Sequence, residues 1–129
     1  MILVDTSVWI GHLRSHDNEL ARLIDVNAVY THPYVVGEIA LGQLRQRGIV
    51  MRSLRALPEA TVATEGEVLT FIESRTLFGR GIGYVDICLL AATRVTANTW
   101  LWTNDKKLRA VASDLGLATS PPFSPRALG

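Results

Sequence analysis

The first seven residues read Met1-Ile2-Leu3-Val4-Asp5-Thr6-Ser7, an apolar run that stops abruptly at an acid and two hydroxyl side chains. A short apolar run bounded by a polar break predicts a strand rather than a helix, and its lack of alternation indicates burial on both faces, as in a parallel sheet. Asp5 would then lie at the carboxyl end of the strand, where open α/β sheets bind ligands and where a carboxylate suits a hard cation. The alternative is that Asp5, Thr6 or Ser7 only caps the following helix.

Length and composition limit the class of protein. The 129 residues predict a single domain, residues 1–129, with a substantial core. Because 48% of the residues are hydrophobic, we expect a second copy or a partner protein to cover part of the surface. No apolar run approaches the roughly 20 residues that cross a bilayer, and the first residues lack the basic segment of a signal peptide, so we expect a cytoplasmic protein without a membrane contact. The single cysteine, Cys88, is predicted to be a small core residue rather than a nucleophile.

The formal net charge of +1 is not that of a strongly basic nucleic-acid-binding domain. Two local clusters are suited to contact phosphates, or else form solvated helix faces. They are Arg45, Arg47, Arg52 and Arg55, and Lys106, Lys107 and Arg109. A pair of histidines with metal-ligand spacing, His12 and His16, lies in a segment whose neighbours are typical of a loop.

Hydrophobic patterning predicts alternating strands and helices through the first half of the chain. The expected elements are a helix over 6–13, a helix capped by Asp17, a strand over 28–31, a helix from Pro33 to Leu44 that ends at Gly48, and a second arm over 49–57. The last two elements would form an antiparallel helical pair, which we call the helical clip. Glu38 lies within the first arm among apolar neighbours, so its charge needs a metal, a distant basic group or exposure at the core edge as compensation.

The second half of the chain continues this pattern. We expect a short strand over 60–63, a helix opened by the capping box Thr64-Glu65-Gly66-Glu67, and an apolar helix that begins near Asp86. The alternating glycines over 79–83 lack the ending of a phosphate-binding loop, which favours a tight turn that delivers Asp86. The helix dipole would favour an acid at that position in any case.

The clearest later strand is Thr99-Trp100-Leu101-Trp102-Thr103, which is apolar at consecutive positions and is therefore predicted to be central in the sheet. It is followed by Asp105, which is either a helix cap or a ligand. The helix after it ends at Gly116. The proline-rich tail over 117–129 is predicted to lie extended on the surface or on a neighbouring molecule.

Four of the twelve acids stand at strand ends or within apolar runs, namely Asp5, Glu38, Asp86 and Asp105. Two follow predicted parallel strands and two lie on helices that begin at the same sheet edge, so the fold can gather them in one pocket. Carboxylates this close repel one another unless a divalent cation neutralises them. Ligands that are all oxygen select Mg²⁺ or Mn²⁺ rather than zinc.

The sequence resembles the PIN domain, and within that family the VapC-type toxins of bacterial and archaeal toxin–antitoxin pairs. The resemblance covers almost the whole chain and depends on the order and spacing of four motifs. They are Leu3-Val4-Asp5-Thr6-Ser7-Val8-Trp9, then Val36-Gly37-Glu38-Ile39, then Gly83-Tyr84-Val85-Asp86 with Leu89-Leu90-Ala91, and finally Leu101-Trp102-Thr103-Asn104-Asp105. It implies an α/β fold, a PIN-like three-layer sandwich with a central, mostly parallel sheet flanked by helices and a helical clip.

The resemblance also implies a function, that of a Mg²⁺- or Mn²⁺-dependent endoribonuclease that cleaves RNA with a metal-activated water. It implies a homodimer that is inhibited by a small antitoxin wrapping the clip. By the same resemblance the catalytic acids are Asp5, Glu38, Asp86 and Asp105, of which Asp5 and Asp86 are the main metal ligands. The supporting hydroxyl side chains are Thr6, Ser7 and Thr103.

One departure from the family concerns the second metal ion. Some PIN domains carry a further acid where this chain has Lys107, and Asn104 replaces a residue that is often basic. The number of metal ions is therefore left open. Two other functions remain as alternatives: a phosphotransfer receiver domain, which also gathers acids and a lysine at a sheet edge, and a catalytically inactive PIN domain that serves as a binding module.

Overall fold

The sheet is parallel and centred on the first strand of the chain. The computed structural model describes residues 1–128, and its strands are β1 (Ile2–Val4), β2 (Val29–Tyr30) and β3 (Trp100–Trp102), in the order β2-β1-β3. Both pairings of β1 are parallel. The three residues of β1 are 0% exposed although their side chains alternate between the two faces, so helices cover the sheet on both sides.

Our expectation that the last strand is central was wrong, because β1 holds that place. The far side of β3 is nevertheless occupied in part. Leu101 forms an isolated parallel bridge with Ala118, in which the Leu101 N–H donates to Leu117 O over 2.7 Å. Because this segment covers its far side, β3 can be as apolar as a central strand although it is the last strand of the sheet.

Eight helices surround the sheet in the described part of the chain. They are α1 (Thr6–Arg14), α2 (Asn18–Asp25), α3 (Pro33–Ala40), α4 (Arg47–Ala56), α5 (Glu65–Ser74), α6 (Tyr84–Val95), α7 (Lys106–Asp114) and α8 (Pro125–Leu128). The predicted caps are confirmed: the Asp17 carboxylate accepts the N–H groups of Glu19 and Leu20, and Thr64 and Glu67 form the capping box of α5. Within these residues no helix has the length and apolar character that crossing a membrane requires.

The helical clip exists, but its boundary differs from the prediction. The first arm, α3, ends at Ala40 rather than at Leu44, and Gly48 lies in the first turn of α4 instead of ending α3. The Arg47 guanidinium donates to Ala40 O (2.6 Å) and to Gly42 O (3.2 Å). A side chain from the second arm thus satisfies carbonyls at the end of the first, which lets the helix stop while the apolar pattern continues.

The predicted strand over residues 60–63 is absent. Only a single parallel bridge between Thr31 and Glu59 forms there, with the Ala60 N–H donating to Thr31 O. The tail is also less extended than expected, because α8 forms at its end and Ala127 is 3% exposed. Residue 129 of the predicted tail lies outside the described residues.

The buried apolar side chains of residues 1–128 belong to one cluster. Helix α6 is its centre, since the seven consecutive residues 87–93 are all buried. Cys88 is among them, as predicted, and burial raises the pKa of its thiol. The core therefore fixes α6, and with it the acid in its first turn, against β3.

Candidate metal-binding active site

Backbone hydrogen bonds of both the N–H and the carbonyl group fix the position of Asp5. Its N–H donates to Trp102 O of β3 over 2.9 Å, and its carbonyl accepts the Val8 N–H of α1 over 3.1 Å. The residue is only 5% exposed. It occupies the N-cap position of α1, yet its side chain accepts no backbone N–H of that helix. The carboxylate is therefore not used for capping.

Two hydroxyl groups orient the Asp5 carboxylate instead. Ser7 Oγ and Thr103 Oγ1 each donate to Asp5 Oδ2 over 2.7 Å. Both hydroxyls also accept backbone N–H groups, Ser7 from Asn104 (3.0 Å) and Thr103 from Asp105 (3.0 Å). With the Oδ2 atom occupied, the Oδ1 atom is left without a hydrogen bond from any residue of 1–128, so it can act as a ligand atom.

Asp86 lies in the first turn of α6 and is half-buried. Burial, together with the smaller effects of the negative charges of Asp5, Asp105 and Glu38, raises the pKa of its carboxyl to about 6. The helix dipole, which favours an acid here, does not outweigh these effects. In the described residues the ion pairs are Arg22–Glu19 and Arg80–Asp114, and neither contains an acid of this site.

Glu38 approaches the site from α3. Its side chain is exposed, and its Oε1 atom accepts a hydrogen bond from Thr6 Oγ1 over 2.7 Å. Of the three compensations that the sequence left open for this charge, the structure shows exposure at the edge of the core. The hydrogen bond connects the second residue of the Asp5 motif with the clip.

Asp105 caps a helix and also adds negative charge to the acidic site. Its Oδ1 atom accepts the Leu108 N–H over 2.9 Å and so caps α7, and its charge is also one of those that raise the pKa of Asp86. The cap and ligand interpretations of this residue are therefore compatible.

The four acids thus share one sheet edge, with Asp5 buried, Asp86 half-buried and the other two exposed. Among residues 1–128, no three acidic, histidine or cysteine side chains lie close enough to enclose a metal ion by themselves. The donor set is made of hard oxygens, which fits an ion such as Mg²⁺ that usually keeps several water ligands and takes one or two carboxylates from the protein. The two histidines with ligand spacing lie elsewhere, and His12 Nδ1 accepts the Asp17 N–H at the corner between α1 and α2.

Sequence reasoning missed one positioning contact. The Arg109 guanidinium donates to Thr103 O over 3.2 Å, which ties α7 to the end of β3 directly beside the Asp5 carboxylate. The signal was weak, because Arg109 belonged to a basic cluster that also fitted a solvated helix face.

Comparison with known proteins agrees with this geometry. Residues 2–114 match the model of the PIN domain. The chain belongs to the PIN-domain family. It is also similar to Ribonuclease VapC32 from two strains of Mycobacterium tuberculosis, CDC 1551 / Oshkosh and ATCC 25618 / H37Rv. In each case the identity is 43% over 124 residues, which cover 96% of this chain and the whole of the relative.

Membership of the PIN family settles two earlier questions. The predicted α/β PIN-like sandwich and the VapC-type resemblance are confirmed, and the receiver-domain alternative is wrong. A receiver needs its acids clustered after the first strand, whereas this PIN domain carries two of them on α3 and α6.

Proposed function

We propose that this PIN domain is an endoribonuclease, the toxin of a toxin–antitoxin pair, which hydrolyses RNA phosphodiester bonds with the help of Mg²⁺ or Mn²⁺. The observation that carries the proposal is the group of four acids at one sheet edge, in which the half-buried Asp86 lies near the charges of Asp5, Asp105 and Glu38 and none of the four forms an ion pair within residues 1–128. Such a cluster is stabilised by a divalent cation. The relatives from Mycobacterium tuberculosis are named ribonucleases, which supports RNA as the substrate.

We assign the metal to Asp5 and Asp86. A cation bound there would supply Lewis acidity, lowering the pKa of a water molecule and offsetting charge on the scissile phosphate. The protein's own part is to hold the ligands. Ser7 and Thr103 hold Asp5 so that its Oδ1 atom remains available, and Thr6 orients Glu38 at the edge of the pocket.

We propose one metal ion rather than two. The position at which some PIN domains have a further acid is Lys107, which is exposed in the first turn of α7. A lysine at this position supplies no ligand for a second cation and adds a positive charge to the first turn of α7. The Lys107 ammonium lies beside Gly81 of the loop that precedes α6, where a Cβ atom would come within 3.3 Å of Nζ.

The partners follow from the same proposal. We propose that the chain acts as one domain, forms a homodimer, and is inhibited by an antitoxin on the helical clip. Two grooves support a partner on the clip, one of about 440 Å³ that includes Leu13 and Leu44 and one of about 210 Å³ that includes Trp9 and Leu57. A basic side chain of the antitoxin that reached the acids would compete with the metal.

The central experiment measures RNA cleavage by the wild-type protein and by Asp5→Asn and Asp86→Asn, with Asp25→Asn as control. Asp25 is exposed at the end of α2, and it is not among the acids whose charges raise the pKa of Asp86. We expect cleavage with Mg²⁺ or Mn²⁺, loss of cleavage in EDTA and in both site variants, and an unchanged rate in the control. Full cleavage in EDTA would overturn the metal dependence, and a folded wild-type protein that never cleaves RNA would instead be an inactive binding module.

A second experiment tests the toxin assignment. We expect production of the chain alone to arrest bacterial growth, and Asp5→Asn to abolish the arrest. Harmless production of an active nuclease would contradict the toxin role while leaving the enzyme assignment intact.

A further inference from the structure

A cavity of about 150 Å³ lies between α3, α5 and α6. It is lined by His32, Tyr34, Val62, Ala63, Glu65, Val68, Tyr84 and Cys88. Its volume is several times the roughly 30 Å³ that one water occupies in the liquid. None of these residues belongs to the proposed metal site.

Two walls of this cavity come from the helices that carry site acids. Tyr34 precedes Glu38 by four residues on α3, so their side chains lie on the same helical face one turn apart. Tyr84 and Asp86 both lie in the first turn of α6. A group in the cavity is therefore about one helical turn from Glu38, one of the acids that would surround a scissile phosphate.

His32 gives the cavity a hydrogen-bond donor without a partner. The ring is 0% exposed, and its Nδ1 atom accepts the Tyr34 N–H over 3.0 Å. Burial lowers the pKa of His32, so the neutral ring has its proton on Nε2. That Nε2 atom has no hydrogen-bond partner in residues 1–128. An unpaired buried donor is costly, and a ligand that offers an acceptor removes the cost.

The two tyrosines add aromatic surface that faces solvent. Tyr34 is 44% exposed and Tyr84 is 52% exposed. The Tyr34 ring also packs edge-on against His32, with 5.1 Å between the ring centroids. Exposed aromatic rings beside a nuclease site are suited to stacking with unpaired bases, which is how proteins hold single-stranded RNA.

We propose that this cavity binds one unpaired nucleobase of the RNA substrate, adjacent to the scissile phosphodiester. The base stacks on Tyr34 or Tyr84 and presents an acceptor edge towards His32. This inference rests on the proposed ribonuclease function and adds a residue-level source of sequence preference to it.

The test compares Tyr34→Leu and Tyr84→Leu with the wild-type protein on a pool of random single-stranded RNA, with sequencing of the ends produced. The control is Phe78→Leu, which removes an exposed aromatic ring outside the cavity. We expect the wild-type protein to prefer certain bases at one position beside the cut. Each tyrosine variant should raise KM by roughly 5- to 100-fold and flatten that preference, as loss of one stacked base predicts, while the control and the metal requirement stay unchanged.

A binding measurement gives a readout that does not depend on cleavage. In the Asp5→Asn background, an oligoribonucleotide with one abasic position should lose affinity when that position is the preferred one, and the tyrosine variants should abolish the difference. His32→Phe keeps a ring but removes the donor, and it should weaken discrimination between bases.

The outcomes separate the inference from the function. If the wild-type protein cleaves RNA but neither abasic positions nor the tyrosine variants matter, the base-binding cavity is wrong and the ribonuclease proposal stands. If only His32→Phe is without effect, a water in the cavity satisfies Nε2 and the stacking part remains. If no RNA is bound or cleaved, the proposed function itself fails.

Discussion

Asp5 and Asp105 occupy the same position relative to their helices, and they use it differently. Both are N-cap residues, but only the Asp105 carboxylate accepts a backbone N–H of its own helix. Asp5 accepts two hydroxyl groups, from Ser7 and Thr103, through one oxygen. The capping alternative therefore describes Asp105 and not Asp5. The difference arises because Thr103, the residue after β3, is brought beside Asp5 by strand pairing.

Thr103→Val tests this support of Asp5. The variant keeps the shape of the side chain but removes the donor to Asp5 and the acceptor for the Asp105 N–H. We expect a loss of roughly 1–3 kcal/mol in the free energy of unfolding and a metal affinity or activity reduced by about 10- to 100-fold. Urea unfolding and cleavage at several Mg²⁺ concentrations measure both.

Thr93→Val is the matched control, because Thr93 is equally buried but donates to Leu89 O within its own helix. It should affect the free energy of unfolding but not the metal requirement. Equal losses of activity in the two variants would contradict the special role of Thr103.

Asp86 makes the metal-free protein sensitive to pH. Its pKa rises from an ordinary value of 3.8 to about 6 on folding, because the folded protein disfavours the charged form. The free energy of unfolding is therefore highest with respect to this group below about pH 4, and the stability is lost as the pH rises through about 6. Asp86→Asn removes this loss. In EDTA at about pH 7.5 the variant should be more stable by on the order of 1 kcal/mol after allowance for solvent screening.

Urea unfolding of wild type and Asp86→Asn at about pH 7.5 and about pH 4 measures this difference, which should vanish at the lower value because the wild-type carboxyl is then protonated. A variant that is less stable at both values would show that Asp86 is held by favourable contacts rather than opposed by its neighbours.

Glu38 shows a limit of sequence reasoning at the level of a residue. Apolar neighbours suggested an unpaired buried charge, but the apolar residues around it are themselves partly outside, with Tyr34 44% and Leu41 89% exposed. Only the side that contains Val35 and Ile39 enters the core. Local composition cannot tell which apolar residues of a clip face solvent or a partner, since that depends on what packs against it.

At the level of elements, helix ends were predicted correctly where all the residues that determine them are close together in sequence. The caps of α2 and α5 were predicted because each acceptor and donor lies within a few residues. The end of α3 was missed because Arg47, seven residues further on, satisfies the Ala40 carbonyl. The strand expected over 60–63 failed because only one bridge, at Glu59, finds a partner in Thr31.

Two substitutions of Asp105 separate its role as a helix cap from the role of its negative charge. Asp105→Asn keeps an oxygen that can accept the Leu108 N–H, whereas Asp105→Ala loses the cap of α7. We expect the alanine variant to lose about 0.5–2 kcal/mol in the free energy of unfolding and the asparagine variant to lose little. Both should lose activity if the charge serves the acidic pocket.

Asp17→Ala is the control for loss of a cap alone, because Asp17 caps α2 and is not among the acids whose charges raise the pKa of Asp86. It should destabilise the protein to a similar degree without an effect on cleavage. If Asp105→Asn were fully active, Asp105 would be a structural cap only, and the site would be reduced to three acids.

At the level of the whole molecule, several of the surplus apolar residues are exposed near the helical clip and after α2. Ile49 and Leu41 on or next to the clip are 54% and 89% exposed, and Val26, after α2, is 56% exposed. We expect the protein to be a homodimer at tens of micromolar concentration, since exposed apolar surface of this kind favours association. Multi-angle light scattering measures the molar mass, and a monomer under these conditions would exclude the dimer.

The C-terminal tail makes contacts with distant parts of the chain that the sequence did not predict. Its prolines predicted an extended path, yet Leu117 and Ala118 lie against β3 and α8 follows. The Ala127 carbonyl accepts a hydrogen bond from the Met1 ammonium over 2.7 Å. Contacts between residues this far apart in sequence leave no local pattern, so only the assembled fold reveals them.

The pairing of β1 with β3 also has a consequence for synthesis on the ribosome. The hydrogen bond between Thr103 and Asp5 joins residues 98 positions apart, and translation at about 5–20 residues per second separates their appearance by on the order of 5–20 s. Until then Asp5 has neither the neighbouring strand nor the hydroxyl that orient it. A nascent chain of this protein is therefore expected to be harmless to the ribosome and message that produce it, and truncated products that end before β3 should be inert.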